Sequence, residues 1–516
     1  MKISVCLLCV WLCVAVAAAA IAALERGAAN APGDGAKAVS SAAGNTVTLA
    51  RLSGAQMAVS DVERAITGIM EKAGVPGLSC AIINDGRIVY AKGFGVRETG
   101  KAEPVNEQTV FAAASFSKTV FAYLVLRLVD DGVVDLDKPL HEYLAKLLPE
   151  YPAYADLAGD ARYKRITARI VLSHTTGFPN WRVFTDDGGL RIYSNPGKRF
   201  GYSGEGIDLL QLVVEEITGE GLEALAHRYV FEPLGMKHTS YVWQDRFEAN
   251  LAIPHDAYER PKRFRRRMVA DAAGSMATTA HDYARLLVAV LDAGGLGKTT
   301  LQEMLRPQIS IRSSRMFGPG AGTDTEDRGD VELSWGLGWG RFDCVQGRAM
   351  FHTGHESGTQ NYNVTFIDRG IGVVFLSNSD NFESVARELV EVTIGDTYSP
   401  FDWLGYAHYD PNRPRVPPPE PAAVEVAPGV LEGYVGTYQL GAGTFIHVKL
   451  ENGVLLASSD NAEWAELRAE TETRFFVKGE TIRIEFVTLG TGIVPELVLE
   501  IEEGVTLHAA RIDETH

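Results

Sequence analysis

Cysteine is scarce in this chain of 516 residues, which has five, three of them within the first 13 positions. Beyond that segment only Cys80 and Cys344 remain, so at most one intramolecular disulfide can form. A disulfide framework of the kind that holds small secreted domains together is therefore excluded. The Cys6-Leu-Leu-Cys9 spacing lies in an apolar run without polar neighbours, which does not indicate a metal or redox site.

Positive charge is also limited, since 49 Lys and Arg face 66 Asp and Glu and the net charge is −17 at pH 7. Nucleic-acid binding needs a positive footprint for the phosphates, so we expect no nucleic-acid partner. The G-x-S-x-G pattern of α/β-hydrolases is missing, and no group of residues has the spacing of metal ligands. We therefore expect neither a metal nor another cofactor.

The first 24 residues, MKISVCLLCVWLCVAVAAAAIAAL, join one lysine to an apolar stretch that ends in small residues. This pattern is typical of a secretory signal with a cleavage region near 18–23. The alternative is an uncleaved anchor, because the apolar run is almost long enough to span a bilayer. We expect an exported protein, periplasmic or secreted, that contacts a membrane only through this segment and only if it is retained.

The remaining sequence divides into four parts. Residues 25–56 are rich in Ala, Gly and Ser and predict a flexible tether. Residues 57–400 place a hairpin around Asp85-Gly86 at the front, several strands at the end and helices between, which indicates an α+β domain. Residues 401–428 form a proline-rich linker, and the short alternating strands of 429–516 predict a small all-β domain.

The segment ASFSKTVFAYLVLRLVDDG places Ser115 three residues before Lys118, at the start of an apolar run. Positions i and i+3 share a helix face, so the hydroxyl would lie beside the ammonium group. Burial of the helix would lower the lysine pKa and let it accept the serine proton. From this segment alone, an ordinary helix start with Ser115 as cap and a solvated Lys118 stays open.

Further segments fall in a recognisable order. They are IVLSHTTGFPNW, PGKRFGYSGEGIDLLQLVVEEITG, ADAAGSMATTAHDYARLL and FHTGHESGTQNYNVTFIDRGIGVVFLSNSDN. Together with the Ser115 segment, they resemble the serine β-lactamase and penicillin-binding superfamily over residues 59–399, especially class C and its esterase and peptidase relatives. The resemblance implies an antiparallel sheet flanked by helices, with a helical subdomain. The C-terminal part resembles the small lipocalin-like domain often appended to this family.

The resemblance also implies a role for individual residues. Ser115 would be the nucleophile, Lys118 its proton partner and Tyr202 the general base. The third motif of the family falls on His352-Thr353-Gly354. The backbone N–H groups of Ser115 and His355 would form the oxyanion hole, and the residues implied to bind substrate are Ser203, Gly204, Thr353 and Gly354.

Two departures from the lactamase pattern bear on the substrate. Gly204 stands where true lactamases carry an asparagine that holds the substrate amide, and His352 replaces a lysine, so we expect its charge to titrate near neutral pH. Tyr193-Ser194-Asn195 matches the family's Tyr-x-Asn motif literally, but it precedes the Pro-Gly that the motif should follow. We therefore assign the motif to Tyr202.

The sequence thus predicts an exported serine hydrolase that cleaves an ester or amide through an acyl-enzyme on Ser115, acting on a small molecule or a peptide. One alternative is a true β-lactamase or D-alanyl-D-alanine carboxypeptidase. The other is a non-catalytic binding or sensor protein that keeps the fold. The residues carry no indication of an oligomeric state.

Overall fold

The computed structural model describes residues 47–185, 188–292, 294–327, 330–413, 415–417, 421–441, 444–459, 464–478, 482–489, 494–502 and 505–512. The predicted signal segment and residues 25–46 of the predicted tether lie outside this part of the chain. The last residues of that tether pair as two short strands, β1 (Thr48–Ala50) and β2 (Gln56–Ala58), and bury Leu49 and Leu52. Within the described residues, no helix combines the length and the apolar character needed to cross a membrane.

An eight-stranded antiparallel sheet organises the first domain, in the order β4-β3-β12-β11-β10-β9-β8-β7. The two strands from the front of the domain pair with the strands from its end, since β3 lies against β12. The strands of this sheet are β3 (Gly77–Asn84), β4 (Arg87–Gly95), β7 (Ile309–Ser310), β8 (Glu332–Trp335), β9 (Gly340–Cys344), β10 (Gly347–Glu356), β11 (Thr359–Phe366) and β12 (Ile371–Ser377). A separate pair joins β5 (Phe111–Ala112) to β6 (Ala277–Thr278).

Helices cover both faces of the sheet, because alternate residues of a strand point to opposite sides. Ala81 and Ile83 of β3 face one hydrophobic core, while Cys80 and Ile82 face the other. The helices of this domain are α1 (Val59–Ala73), α2 (Phe116–Asp130), α3 (Ala168–Leu172), α4 (Gly204–Thr218), α5 (Leu222–Ala226), α6 (Glu232–Leu234), α7 (Ala280–Leu291), α8 (Lys298–Leu305), α9 (Ala386–Ile394) and α10 (Phe401–Leu404).

Helix α2 is buried on almost every side, as its apolar sequence requires. It packs in the first core together with residues of α4 and α7, and the turn before it lies against Gly354 of β10. The second core contains residues of α1 and α9 and also the side chains of Phe401, Trp403 and Tyr406. The chain therefore remains packed on the first domain through the opening of the predicted linker. Further along, Arg415 donates to the carbonyl oxygen of Ala73 at 2.7 Å.

The C-terminal domain is a closed antiparallel barrel preceded by α11 (Pro428–Tyr434). It has its own core, in which the rings of Tyr434 and Phe486 stack 4.2 Å apart. The predicted fold class is confirmed: an α+β domain followed by a small all-β domain. The barrel strands are β13 (Gly436–Gly441), β14 (Thr444–Glu451), β15 (Val454–Ser459), β16 (Ala465–Ala469), β17 (Arg474–Val477), β18 (Arg483–Val487), β19 (Glu496–Glu502) and β20 (Val505–Ile512).

The two cysteines outside the N-terminal segment do not form the disulfide that the sequence allowed. Cys80 is buried in β3, Cys344 lies at the end of β9, and both are free thiols. Burial raises the pKa of the Cys80 thiol, so it packs as a small neutral side chain.

Candidate active site

The predicted nucleophile lies in a tight turn between β5 and α2. Ala114 has a φ of 46°, a left-handed conformation that is unusual for any residue other than glycine. The turn is fixed by Ser117, whose hydroxyl donates to the Ala114 carbonyl oxygen at 2.6 Å and accepts from the Met276 N–H at 3.0 Å. Ser115 precedes the first residue of α2, but its side chain makes no capping hydrogen bond. The alternative in which Ser115 only caps the helix is therefore wrong for this structure.

Lys118 lies one helical turn further on and is 1% exposed, so it is not solvated. Its Nζ donates to Ser115 Oγ at 3.2 Å and to the Ala273 carbonyl oxygen at 2.6 Å. Burial lowers the pKa of Lys118 to about 8, against the opposing attraction of Asp271 and Asp208. With this pKa, about 9% of the amine is neutral at pH 7 and able to accept a proton, and the neutral fraction rises with pH.

Asp208 of α4 is part of this electrostatic environment, although sequence reasoning missed it. Burial and the neighbouring Asp271 raise its pKa well above the ordinary value, and Lys118 opposes that shift. One carboxyl oxygen of Asp208 is buried without a hydrogen-bond partner among the described residues. The sequence offered no signal that Asp208 lies near Lys118, because it is one of many acidic residues on a helix.

Tyr202 lies beside the same lysine, with its ring centroid 5.1 Å from Lys118 Nζ. Its hydroxyl is buried and makes no well-formed hydrogen bond within the described part of the chain. Burial raises the pKa of Tyr202, and the weaker influence of Ser115 lowers it. Tyr193, which carries the literal Tyr-x-Asn motif, is 63% exposed on the surface. The structure thus brings Tyr202 next to Lys118 and leaves Tyr193 exposed to solvent.

His352 lies on β10, where that strand continues past the end of its pairing with β9 at Phe351. Its ring lies 6.0 Å from the Tyr202 ring and 5.7 Å from the Trp335 ring, measured between centroids. Nδ1 lies 2.7 Å from the Thr353 carbonyl oxygen, which can only accept, so Nδ1 carries the proton. Nε2 is then a buried acceptor without a partner among the described residues.

The charge expected at His352 near neutral pH is absent. Burial lowers the pKa of His352 to about 3, and repulsion from the Lys118 ammonium acts in the same direction. The expectation from the sequence used the ordinary pKa of histidine, whereas the side chain is only 1% exposed and burial disfavours the charged form. At neutral pH the third motif therefore presents an uncharged imidazole.

Gly354 brings β10 directly against the nucleophile turn. A Cβ atom at this position would lie 2.5 Å from the Ala113 carbonyl oxygen, so only glycine allows this approach. The next residue is His355, whose side chain is half-exposed and lies 2.8 Å from the Glu383 carboxylate. The two predicted oxyanion donors, the N–H groups of Ser115 and His355, thus belong to segments that are in contact.

The structure also places Ser203 and Thr353, two other residues predicted to bind substrate. The Ser203 hydroxyl caps α4, because it accepts from the Gly206 N–H at 3.0 Å and donates to the Pro179 carbonyl oxygen at 2.8 Å. Its side chain is fully buried and committed to these bonds. Thr353 is on the face of β10 opposite to His352, because successive side chains of a strand alternate.

Gly204 is covered by a residue that sequence reasoning missed. A Cβ atom at Gly204 would lie 2.5 Å from the indole ring of Trp181, which therefore occupies the space of a side chain at position 204. The same ring lies 5.6 Å from Lys118 Nζ. Trp181 ends the segment IVLSHTTGFPNW, but nothing in the sequence links that tryptophan to a glycine 23 positions later. Within the described residues, no group of three or more His, Cys, Asp or Glu side chains is arranged to hold a metal ion.

Comparison with known proteins identifies the class to which this fold and site belong. The Beta-lactamase family model matches residues 62–393, and the chain belongs to that family. Among curated relatives, the sequence is 24% identical to Penicillin-binding protein 4* of Bacillus subtilis (strain 168) over 83% of this chain and 93% of that protein. It is 26% identical to Esterase EstB of Burkholderia gladioli, over 61% of this chain and 88% of that protein.

A solved structure also resembles most of this chain in fold. The octameric penicillin-binding protein homologue from Pyrococcus abyssi matches with a TM-score of 0.54 and 22% identity, over 88% of this chain and all of that one. At this level of identity the likeness supports the fold alone. It extends well beyond the family match, which ends before α10.

Proposed function

We propose that this protein is a serine hydrolase that cleaves an ester or amide through an acyl-enzyme on Ser115, as an esterase or a D-amino-acid peptidase would. The observation that carries the proposal is the contact between Lys118 Nζ and Ser115 Oγ at 3.2 Å, made by a buried lysine whose pKa is lowered to about 8. A serine hydroxyl needs a nearby base to become nucleophilic at neutral pH, and a neutral lysine is such a base.

In the acylation step, Ser115 Oγ attacks the substrate carbonyl carbon while its proton passes to the neutral amine of Lys118. The oxyanion that forms is stabilised by the N–H groups of Ser115 and His355. The resemblance implied Tyr202 as the general base, but its raised pKa keeps it neutral, so in this scheme Tyr202 donates its hydroxyl proton towards the leaving group and regains one from Lys118. Collapse of the tetrahedral intermediate breaks the bond to the leaving group. Water then attacks the acyl-enzyme by the same route and releases the carboxylic acid.

Features around the nucleophile favour an ester over a β-lactam. Gly204 offers no side-chain amide to a substrate, and Trp181 covers the space where such a group would lie. The imidazole of His352 is neutral, so the third motif does not attract a substrate carboxylate by full charge. A missing hydrogen bond typically removes about 0.5–1.5 kcal/mol, and more when the partner is charged. Small activated esters need neither contact, and one relative is named as an esterase.

The test begins with an intact-mass measurement after treatment with a fluorophosphonate, which adds one phosphonyl group to an activated serine. We expect single labelling of the wild type and none of Ser115→Ala. The control variant is Ser53→Ala, at an exposed serine. Equal labelling of Ser115→Ala would contradict the proposed nucleophile. Absence of labelling in the wild type would favour the non-catalytic alternative.

The same preparations then decide the substrate class. We expect kcat/KM for a short-chain aryl ester to exceed that for a chromogenic cephalosporin by about tenfold or more, as the lost contacts predict. A D-alanyl-D-alanine peptide is the third substrate, because another relative is named as a penicillin-binding protein. Efficient cephalosporin turnover with negligible ester hydrolysis would instead support a true β-lactamase.

We further propose that the protein is exported, on the strength of the apolar segment at residues 1–24. Mass spectrometry of the protein recovered from the cell envelope and from the medium tests this proposal. A mature chain that begins shortly after residue 18 is expected, whereas an intact N-terminus in the membrane fraction would indicate an anchor.

A further inference from the structure

The segment that carries Trp181 is held firmly on the N-terminus of α4. The N–H of Gly204 donates to the Asn180 carbonyl oxygen at 3.0 Å and to its side-chain oxygen at 3.1 Å. On the other side of the tryptophan, Arg182 forms an ion pair with Glu205 at 2.5 Å, and its N–H donates to the same carboxylate at 2.8 Å. These partly buried contacts fix the backbone on both sides of Trp181, so the position of its indole is built into the fold.

The indole also borders the space around the nucleophile. It lies 5.6 Å from Lys118 Nζ, which is itself 3.2 Å from Ser115 Oγ. Trp181 is partly exposed, so a substrate that reaches Ser115 can touch it. A second aromatic side chain, Phe317, is 48% exposed and lies 5.5 Å from the Tyr202 ring, which adds a further apolar surface beside the same site.

We propose that Trp181 is a specificity-determining residue that restricts this site to short, apolar acyl groups without a side-chain amide. The inference rests on the proposed function, because it concerns the acyl part of the substrate attacked by Ser115. The indole fills the space that a side chain at position 204 would need, and it offers an apolar surface with no acceptor for a hydrogen bond. Long or amide-bearing acyl groups meet this ring, whereas short acyl groups pass beside it.

The first experiment measures kcat/KM for 4-nitrophenyl acetate, butyrate and octanoate. We expect the wild type to favour the two shorter esters and Trp181→Ala to raise the octanoate-to-acetate ratio by about tenfold, since a few methylene groups in a pocket decide factors of this size. Trp181→Phe keeps a smaller ring and should give an intermediate ratio. Trp464→Ala, at an exposed tryptophan of the barrel domain, is the matched control and should leave the ratio unchanged.

The outcomes separate the inference from the function on which it rests. If Trp181→Ala slows every ester by the same factor and leaves the ratio unchanged, Trp181 does not select the acyl group and the inference fails. If Trp181→Ala is misfolded, the octanoate-to-acetate ratio of Trp181→Phe is used instead, and an unchanged ratio leads to the same conclusion. Failure of the proposed function has a different signature, because the wild type would then neither hydrolyse any ester nor take up a fluorophosphonate.

A second experiment tests the steric claim directly. Gly204→Asn alone should lower both the melting temperature and the esterase activity, because its side chain collides with the indole. The double variant Trp181→Ala/Gly204→Asn should recover the melting temperature, since the collision is removed. Additive losses of stability in the two single variants and the double variant would show that the two sites are not coupled and would overturn the inference.

Discussion

The rate at which Ser115 reacts should follow the protonation of Lys118. The pKa of Lys118 is lowered to about 8 by burial, so the neutral amine that accepts the serine proton becomes more abundant as the pH rises. With that pKa, about 9% of the lysine is neutral at pH 7 and about 91% at pH 9, which predicts a roughly tenfold increase in rate. Above pH 9 the rate should level off.

Two ionisable side chains near the nucleophile, His352 and Tyr202, should add no inflection between pH 5 and pH 9. His352 has a pKa of about 3 and is already neutral throughout this range. The pKa of Tyr202 is raised, so its hydroxyl stays protonated. An ascending inflection near pH 8 is therefore expected from Lys118.

The assay is the pseudo-first-order labelling of Ser115 by a fluorophosphonate between pH 6 and pH 10 at constant ionic strength, followed by intact mass. Labelling involves no leaving group from a natural substrate, so the profile reports the nucleophile and its base. Lys118→Ala should react about 10²–10⁴ times more slowly and lose the inflection, which is the usual contribution of a general base. An inflection near pH 10 in the wild type, or an unchanged profile in Lys118→Ala, would refute a role for Lys118 as base.

Two further predictions concern the architecture around the site. Gly354→Ala should lower the rate of Ser115 labelling by about a hundredfold, because its methyl group would push β10 away from the Ala113 carbonyl oxygen and a shift near 1 Å has that effect. The control is Gly221→Ala, whose methyl group meets nothing within 4 Å and which should label normally. Equal labelling rates for the two variants would contradict this prediction. A chain that ends at Pro417 should stay soluble, keep its near-ultraviolet circular dichroism and label at Ser115, because the barrel has a separate core. Aggregation of that chain would show that the barrel is needed for the first domain to fold.

Much of the fold could be predicted because local signals and the global structure agree. The hairpin predicted at Asp85-Gly86 is present as β3 and β4, and both turn residues have positive φ values of 48° and 70°. An Asp-Gly pair favours this conformation intrinsically, so the signal does not depend on the rest of the chain. The proline-rich stretch and the alternating strands after it could likewise be predicted, because each pattern depends only on the residues of its own segment.

The environment of the site was less predictable, since it depends on contacts between distant segments. The i, i+3 spacing of Ser115 and Lys118 is local, and the structure brings them together as that spacing predicts. The burial that lowers the pKa of His352 depends on rings contributed by Phe116, Tyr202 and Trp335, which no spacing rule connects. The contact between Trp181 and Gly204 likewise joins distant segments that no spacing rule connects.

The order of strands in the central sheet has a consequence for how the chain folds as it is synthesised. The Ser377 hydroxyl donates to the carbonyl oxygen of Gly77, 300 residues earlier, and β3 has no sheet neighbour other than β4 until β12 exists. At a typical synthesis rate of about 5–20 residues per second, the front hairpin would wait roughly 15–60 s for its partner. During that interval one edge of β3 is unpaired, and the core that Cys80 and Ile82 face lacks the side chains of β11, β12 and α9, so this hairpin presents an open strand edge on which a chaperone would act.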